Sequence, residues 1–167
     1  VAQAVPQDRL MDEIVRKASE LGLFELIPLV TERTVVRLSR EHFERIRARW
    51  ERIGEQTLKQ SRIRNLVRLG PLTPFEELVA RFHCYDRVFL FHPEEKARSL
   101  GQWVKTSGFE RRSSGLLLVI GPEGGFSPGE VKRARAAGAE IFRLGRGILK
   151  TDTAFTAAAG FFLFMYG

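Results

Sequence analysis

Apolar residues fall along this chain in two rhythms that alternate from end to end. Leu10, Met11, Ile14, Ala18 and Leu21 recur at three- and four-residue steps, the period of a helix with one apolar face. That predicts a helix over residues 8–21, closed by Gly22. "FELIPLV" at residues 24–30 is a compact apolar run and is read as a strand. Phe43, Ile46, Trp50 and Ile53 form the stripe of a second helix, over residues 41–59. A short helix is expected over residues 74–82, then strands at "RVFLF" (87–91), "LLLVI" (116–120) and "EIFRL" (140–144). A last helix covers residues 153–166, and residues 93–114 show no clear period. "LLLVI" is apolar at every position between Gly115 and Gly121, as expected of a strand buried on both faces of a parallel sheet. Helix and strand alternate throughout, without internal repeats, so the fold class is α/β with a mostly parallel sheet.

Straight after "LLLVI" comes "GPEGGFSPGEV". Ser127, Pro128 and Glu130 have the form of a capping box with proline at the first helical position. The helix that follows puts Val131, Ala134 and Gly138 on one side and Lys132, Arg133 and Arg135 on the other. This makes a strand, a glycine loop and a helix, at the end of a parallel strand where ligands bind. The glycines have two readings: they supply turns of positive φ, or their bare backbone admits a flat ligand. A phosphate loop is disfavoured, because no Gly-Lys-Ser/Thr follows and Glu123 would set a carboxylate among phosphates. The dinucleotide pattern Gly-x-Gly-x-x-Gly does not fit either. A second glycine loop, "LGRGILKTDTA" (144–154), follows the next strand.

Length and composition describe one ordinary globular domain, with 167 residues, 44% hydrophobic and 28% charged. The single Cys84 excludes an internal disulfide and suits a reducing cytoplasm. His42, His83 and His92 are far apart in sequence, which argues against a zinc site. "VAQAVPQ" has no basic start followed by an apolar core. Residues 1–7 are therefore expected to be a linker or tail ahead of a domain over residues 8–167.

Charge changes the picture more. Residues 33–68 hold eleven basic and four acidic residues, a net +7 that equals the net charge of the whole chain. Ten of the eleven are arginine, whose planar fork grips phosphate. A solvated helix face with pairs such as Glu41–Arg45 would explain part of this. It leaves "KQSRIRNLVR", which has no acid at all. A polyanion, most simply RNA, is the expected partner. The last helix is apolar on nearly every side and too short to span a bilayer, which takes about 20 apolar residues. It is read as buried on all sides, either wholly inside the domain or partly against a second copy in a dimer.

"ELGLFELIPLVTERTVV", "LFHPEE", "LVIGPEGGFSPGEV" and "LGRGILKTDTA", in this order, resemble the RsmE family. These are the 16S ribosomal RNA uridine N3-methyltransferases of the SPOUT superfamily. The resemblance runs from Arg9 to the C-terminus. It implies a SPOUT α/β knot, in which the chain from about Gly121 onward threads into a C-terminal trefoil knot. General chain topology would not suggest one. It implies S-adenosylmethionine as cofactor, bent against the two late loops. Leu90, Ile120, Gly121, Pro122, Gly124, Gly125, Leu144, Gly145, Ile148, Leu149, Thr153 and Ala154 are the residues implied to bind it. It also implies a cytoplasmic homodimer joined through the C-terminal helix, with 16S rRNA or the small ribosomal subunit as partner and neither membrane nor metal.

Methylation at uridine N3 needs the imide proton removed and the resulting charge stabilised. Candidate catalytic residues are Glu123, Asp152 and Arg33, with Glu20 and Glu32 as further bases if they face the site. Candidate RNA contacts are Lys17, Arg33, Arg62, Arg64 and Lys150. The second loop departs from the family pattern Leu-Gly-Pro-Arg-Ile-Leu-Arg-Thr-Glu-Thr-Ala. Arg146 stands for the proline, Gly147 for the first arginine, Lys150 for the second and Asp152 for the glutamate. The family's N-terminal PUA-like barrel has no counterpart in these residues. Either the sequence begins at the catalytic domain or the protein is a shortened member. A ribose 2′-O-methyltransferase of the same superfamily, or a non-enzymatic RNA-binding module, are the alternatives. The first more usually carries an asparagine-serine signature before the last helix, and the second leaves two ligand loops unexplained.

Overall fold

The computed structural model describes residues 1–36, 39–60, 65–93, 98–106, 115–145 and 147–166. In chain order the elements are β1 (Ala2–Ala4), α1 (Leu10–Glu20), β2 (Glu25–Val30), α2 (Arg40–Gln60), β3 (Arg68–Leu69) and β4 (Thr73–Pro74). They continue with α3 (Phe75–Ala80), a 3-10 turn at Phe82–Cys84, β5 (Arg87–Phe91), β6 (Arg98–Ser99) and α4 (Leu100–Thr106). The last are β7 (Leu116–Ile120), α5 (Pro128–Ala136), β8 (Glu140–Arg143) and α6 (Thr151–Tyr166). The sheet runs β3-β2-β1-β7-β5-β8-β6, with β4 also paired to β2, and every one of these pairings is parallel. The α/β reading therefore stands.

The continuous apolar runs follow from a core on each face. Phe89, Phe91, Leu118 and Ile120 point to one side, where Met11, Ile14, Trp50, Trp103 and Phe155 pack. Val88, Leu90, Leu117 and Val119 point to the other, against Phe75, Leu78, Phe126, Val131 and Ala134. Strands covered on both faces have no position left for a polar alternation.

Three expectations need correcting. Residues 1–7 are not a tail throughout. Ala2, Gln3 and Ala4 form a strand between β2 and β7, with no exposed surface. Three small or polar residues give no strand signal of their own, so only the neighbours reveal this one. Residues 93–114 do contain structure, namely β6 and α4, and Trp103 of α4 packs its ring 5.2 Å from Phe89.

The last helix, finally, is not alike on all sides. Phe155, Ala158, Ala159 and Phe162 are buried in the domain, and Phe162 stacks on Phe89 at 5.0 Å. Leu163 and Phe164 face outward, Phe164 at 84% exposure.

Candidate active site

The C-terminal ends of β5, β7 and β8 open into one cavity of about 490 Å³, within the range of small-molecule sites. Three loops line it, one after each strand, together with Arg33 from the segment after β2 and Thr151 and Ala154 of α6.

The loop after β7 is held from several directions. Ser127 Oγ accepts from the Glu130 amide at 3.2 Å, and Glu130 Oε2 accepts from the Ser127 amide at 2.8 Å. The expected capping box is present. Glu130 is buried, and its other oxygen accepts from the Glu32 amide at 2.9 Å. One carboxylate thus joins the start of α5 to the segment after β2. The next residue in that segment, Arg33, donates from its guanidinium to the Gly124 carbonyl at 2.8 Å. The Gln7 amide donates to Glu123 Oε1 at 3.1 Å. Gly125 has φ +66° and closes a turn onto the Pro122 carbonyl at 2.8 Å. At Gly121 a Cβ would come within 3.1 Å of the Phe126 ring. Gly125 therefore serves a turn and Gly121 serves packing, both within the chain itself.

The loop after β8 differs. A Cβ at Gly145 or Gly147 would meet nothing within 4 Å. Ile148 is 84% exposed and Leu149 38%. Ile148 stands at the cavity almost uncovered by the described residues, and Leu149 is partly covered.

Of the residues expected at the cofactor, Ile120, Gly121, Pro122, Gly124, Gly125, Leu144, Gly145, Ile148, Leu149 and Ala154 line the cavity. Leu90 does not, because strand alternation buries it completely in the core with Phe126. Thr153 does not, because α6 starts two residues earlier than expected. Thr151 and Ala154, three positions apart on one helix face, point into the cavity while Thr153 is exposed. Phe91, His92, Pro93, Arg143, Gly147 and Thr151 also line it. The rule that drew attention to the strand ends of β7 and β8 holds equally for β5, where "LFHPEE" was the available signal.

The candidate catalytic residues are not all together. Glu123 and Arg33 both line the cavity, at exposed positions. Asp152 is outside the lining and pairs with Lys17 Nζ at 3.2 Å, tying α6 to α1. Burial pushes the Asp152 carboxyl up, but the hydrogen bond and charge of Lys17 outweigh it and hold the group below its ordinary value. A carboxylate so held is a weaker base. Glu20 and Glu32 are exposed outside the cavity lining. Lys150 is exposed just before α6, while Arg62 and Arg64 lie outside the described residues.

The basic segment is partly neutralised within the chain. Arg47 pairs with Glu51, Arg49 with Asp12 and Arg68 with Glu25. Arg45, Arg52 and Lys59 are exposed along α2. Among the described residues, no group of three or more His, Cys, Asp or Glu could hold a metal, and no helix is long and apolar enough to cross a membrane.

Comparison with known proteins gives this geometry a context. Ribosomal RNA small subunit methyltransferase E of Bacillus subtilis is 29% identical over 155 residues, covering 92% of this chain and 60% of that protein. Its namesake in Synechocystis is 31% identical over 159 residues, covering 95% and 50%. A Legionella pneumophila protein solved with its cofactor SAM bound superposes with a TM-score of 0.85 at 26% identity, over 96% of this chain and 63% of its own. Ribosomal RNA small subunit methyltransferase E from Neisseria gonorrhoeae, bound to S-adenosylmethionine, gives 0.83 at 26% identity, over 99% and 65%. The chain spans about half to two thirds of the length of these relatives. The family model for an RNA methyltransferase domain matches residues 1–163, which takes in β1 at one end and most of α6 at the other. This chain belongs to the RNA methyltransferase domain family.

Proposed function

We propose that this domain binds S-adenosylmethionine in the cavity and methylates N3 of a uridine in 16S rRNA of the small ribosomal subunit. The observation that carries the reading is the meeting of both glycine loops at the ends of β7 and β8, in a chain of this family. The residues fit such a ligand. The lining combines apolar Ile120, Leu144, Ile148 and Leu149 with exposed glycine backbone, and Arg143 offers a buried Nε without a hydrogen-bond partner among the described residues. The cofactor, when bound, supplies an electrophilic methyl group.

Everything else falls to the chain. Glu123 is the base we favour, because it lines the cavity and its Oε2 is not the atom bonded to Gln7. It takes the imide proton from uridine N3, which leaves the lone pair on that nitrogen as the nucleophile. Arg33, fixed at the rim by the Gly124 carbonyl, stabilises the negative charge spread over the imide oxygens. Asp152 and Lys17 hold the start of α6 in place instead of acting on the base. Lys17, Lys150 and the arginines of residues 33–68, Arg62 and Arg64 among them, contribute to RNA binding. The outward face of α6, with Leu163 and Phe164, joins two copies into a homodimer. The chain from Gly121 onward is threaded as a trefoil knot, and the enzyme acts in the cytoplasm.

The test has two stages. Calorimetry should show S-adenosylmethionine binding to the chain with one site per protomer. Primer extension on ribosomal RNA incubated with enzyme and cofactor should then stop at one uridine, because an N3-methyl group blocks base pairing. Methyl incorporation without such a stop would move the reaction to another atom, and no cofactor binding would leave an RNA-binding module.

A further inference from the structure

Arg143 ends β8 at the cavity, and nothing in the reaction above gives its guanidinium a task. Strand alternation explains its place. Phe142 turns into the core shared with α6, so Arg143 shares the opposite face with Ile141. On the neighbouring strand, His92 follows β5 with its amide bonded to the Phe142 carbonyl at 2.9 Å. Its ring lies 6.4 Å from Phe126. Arg143 Nε is buried and has no hydrogen-bond partner among the described residues. A guanidinium cannot shed its charge, and a buried donor without an acceptor is rare in folded proteins. Among the described residues, Glu123 is the one carboxylate in the cavity lining; it is exposed and already accepts from Gln7. The cavity therefore presents a cation whose Nε has no acceptor among the described residues.

We propose that Arg143 is the anion-binding residue of the cofactor cavity and takes the carboxylate of the aminoacyl arm of S-adenosylmethionine. This rests on the cofactor reading given above. The cofactor has one anionic group, and its sulfonium and ammonium are cations that a guanidinium repels. A charge at the end of β8 thus selects one orientation of the arm over its reverse. Charge-assisted bonds from a guanidinium fork to a carboxylate are the strong, directional kind.

The experiment compares S-adenosylhomocysteine, which keeps the arm, with 5′-methylthioadenosine, which lacks it. Each is titrated calorimetrically into the wild-type chain, Arg143→Met and Arg143→Lys, with circular dichroism confirming the fold. The wild type should prefer S-adenosylhomocysteine by about tenfold or more, equivalent to about 1.4 kcal/mol. Arg143→Met should abolish that preference by weakening S-adenosylhomocysteine alone, and Arg143→Lys should restore part of it. Equal losses for both nucleosides would mean that Arg143 only shapes the cavity, which overturns the proposal. Unchanged nucleoside binding with a shallower salt dependence of RNA binding would assign Arg143 to an RNA phosphate, which also overturns it. A wild type that binds neither nucleoside fails at the earlier step, the cofactor site itself.

Discussion

Across one cavity, two glycine loops face each other and are held in opposite ways. The loop after β7 is fastened by the Ser127–Glu130 box, by Glu130 to Glu32, by Arg33 to Gly124 and by Glu123 to Gln7. Its glycines are spent on a turn at Gly125 and on the Phe126 ring at Gly121. The loop after β8 has open space beside Gly145 and Gly147, and it exposes Ile148 and Leu149. The same residue type therefore means different things in the two loops. In the first, glycine lets the protein pack against itself and fixes a surface before any ligand arrives. In the second, none of the described residues uses the space, which leaves it for a ligand or a second copy.

The most direct way to break this contrast is at Glu130. Glu130→Ala leaves two amides without their acceptor, that of Ser127 buried and that of Glu32 part-buried. An unsatisfied buried donor costs about 1–3 kcal/mol, and water reaches the part-buried Glu32 amide, which costs about 1 kcal/mol, so urea denaturation should show a loss of about 2–4 kcal/mol. Glu130→Gln keeps one acceptor oxygen and should fall between the two. Wild-type stability in Glu130→Ala would mean that the first loop is not fastened as described.

Gly147 tests the other side. Apart from its chain neighbours, Gly147→Val meets no atom of the described residues within 4 Å of the new Cβ, so stability should stay within about 0.5 kcal/mol of wild type. Its branched side chain would fill part of the cavity, and S-adenosylmethionine affinity should drop at least about tenfold, or about 1.4 kcal/mol. Gly125→Val is a poorer probe, because its φ of +66° strains any branched residue with or without ligand. A calorimetric titration of Gly147→Val that matches wild type would remove the second loop from the site.

What the sequence made legible divides along similar lines. Helices with a clean apolar stripe were found with their ends within about two residues, as usual for such boundaries. The capping box of α5 was readable atom by atom, because its partners lie three residues apart. β1 was not, since its place depends on β2 and β7, more than twenty residues and more than a hundred residues away. Both loops were picked out by their glycines and their position after strands. The side chains facing the cavity were harder, because they depend on strand pleat and helix phase. Leu90 and His92 share one face of β5, but only His92 lies beyond the strand end, and Thr153 and Thr151 differ by a rotation about the helix. The ties of Arg33, Glu32 and Gln7 to the first loop join residues about a hundred positions apart. No local pattern encodes them.

A smaller effect belongs to Lys17 and Asp152, the pair that anchors α6 just beyond the open loop. Both side chains are about a third exposed, so solvent screens the pair and its loss should cost at most about 1 kcal/mol. Lys17→Met should show that cost at neutral pH. Lys17 holds the Asp152 carboxyl below its ordinary value, so the pair stabilises the fold above the unfolded aspartate value of about 4. That contribution should vanish as pH falls through the lower, folded value. Mutant and wild type should therefore converge in acid, and a difference that persists there would assign the effect to the lysine stem and not to its charge.

The smallest effect is expected where the exposed loop is most apolar. Ile148 is 84% exposed, so burial contributes almost none of the 1.5–3 kcal/mol that a fully covered isoleucine gives, on the order quoted for such side chains. Ile148→Ser should move the free energy of unfolding by less than about 0.5 kcal/mol, measured at a concentration low enough to keep the chain monomeric. The same change at a position buried by the first loop, such as Phe126, would cost several times as much, since Phe126 is only 1% exposed. The contrast between the loops thus reduces to two numbers from one denaturation assay. A loss above about 1 kcal/mol for Ile148→Ser would show the second loop packed against its own domain in solution. The space beside Gly147 would then be closed, and the cavity would lose the side that a ligand is meant to complete.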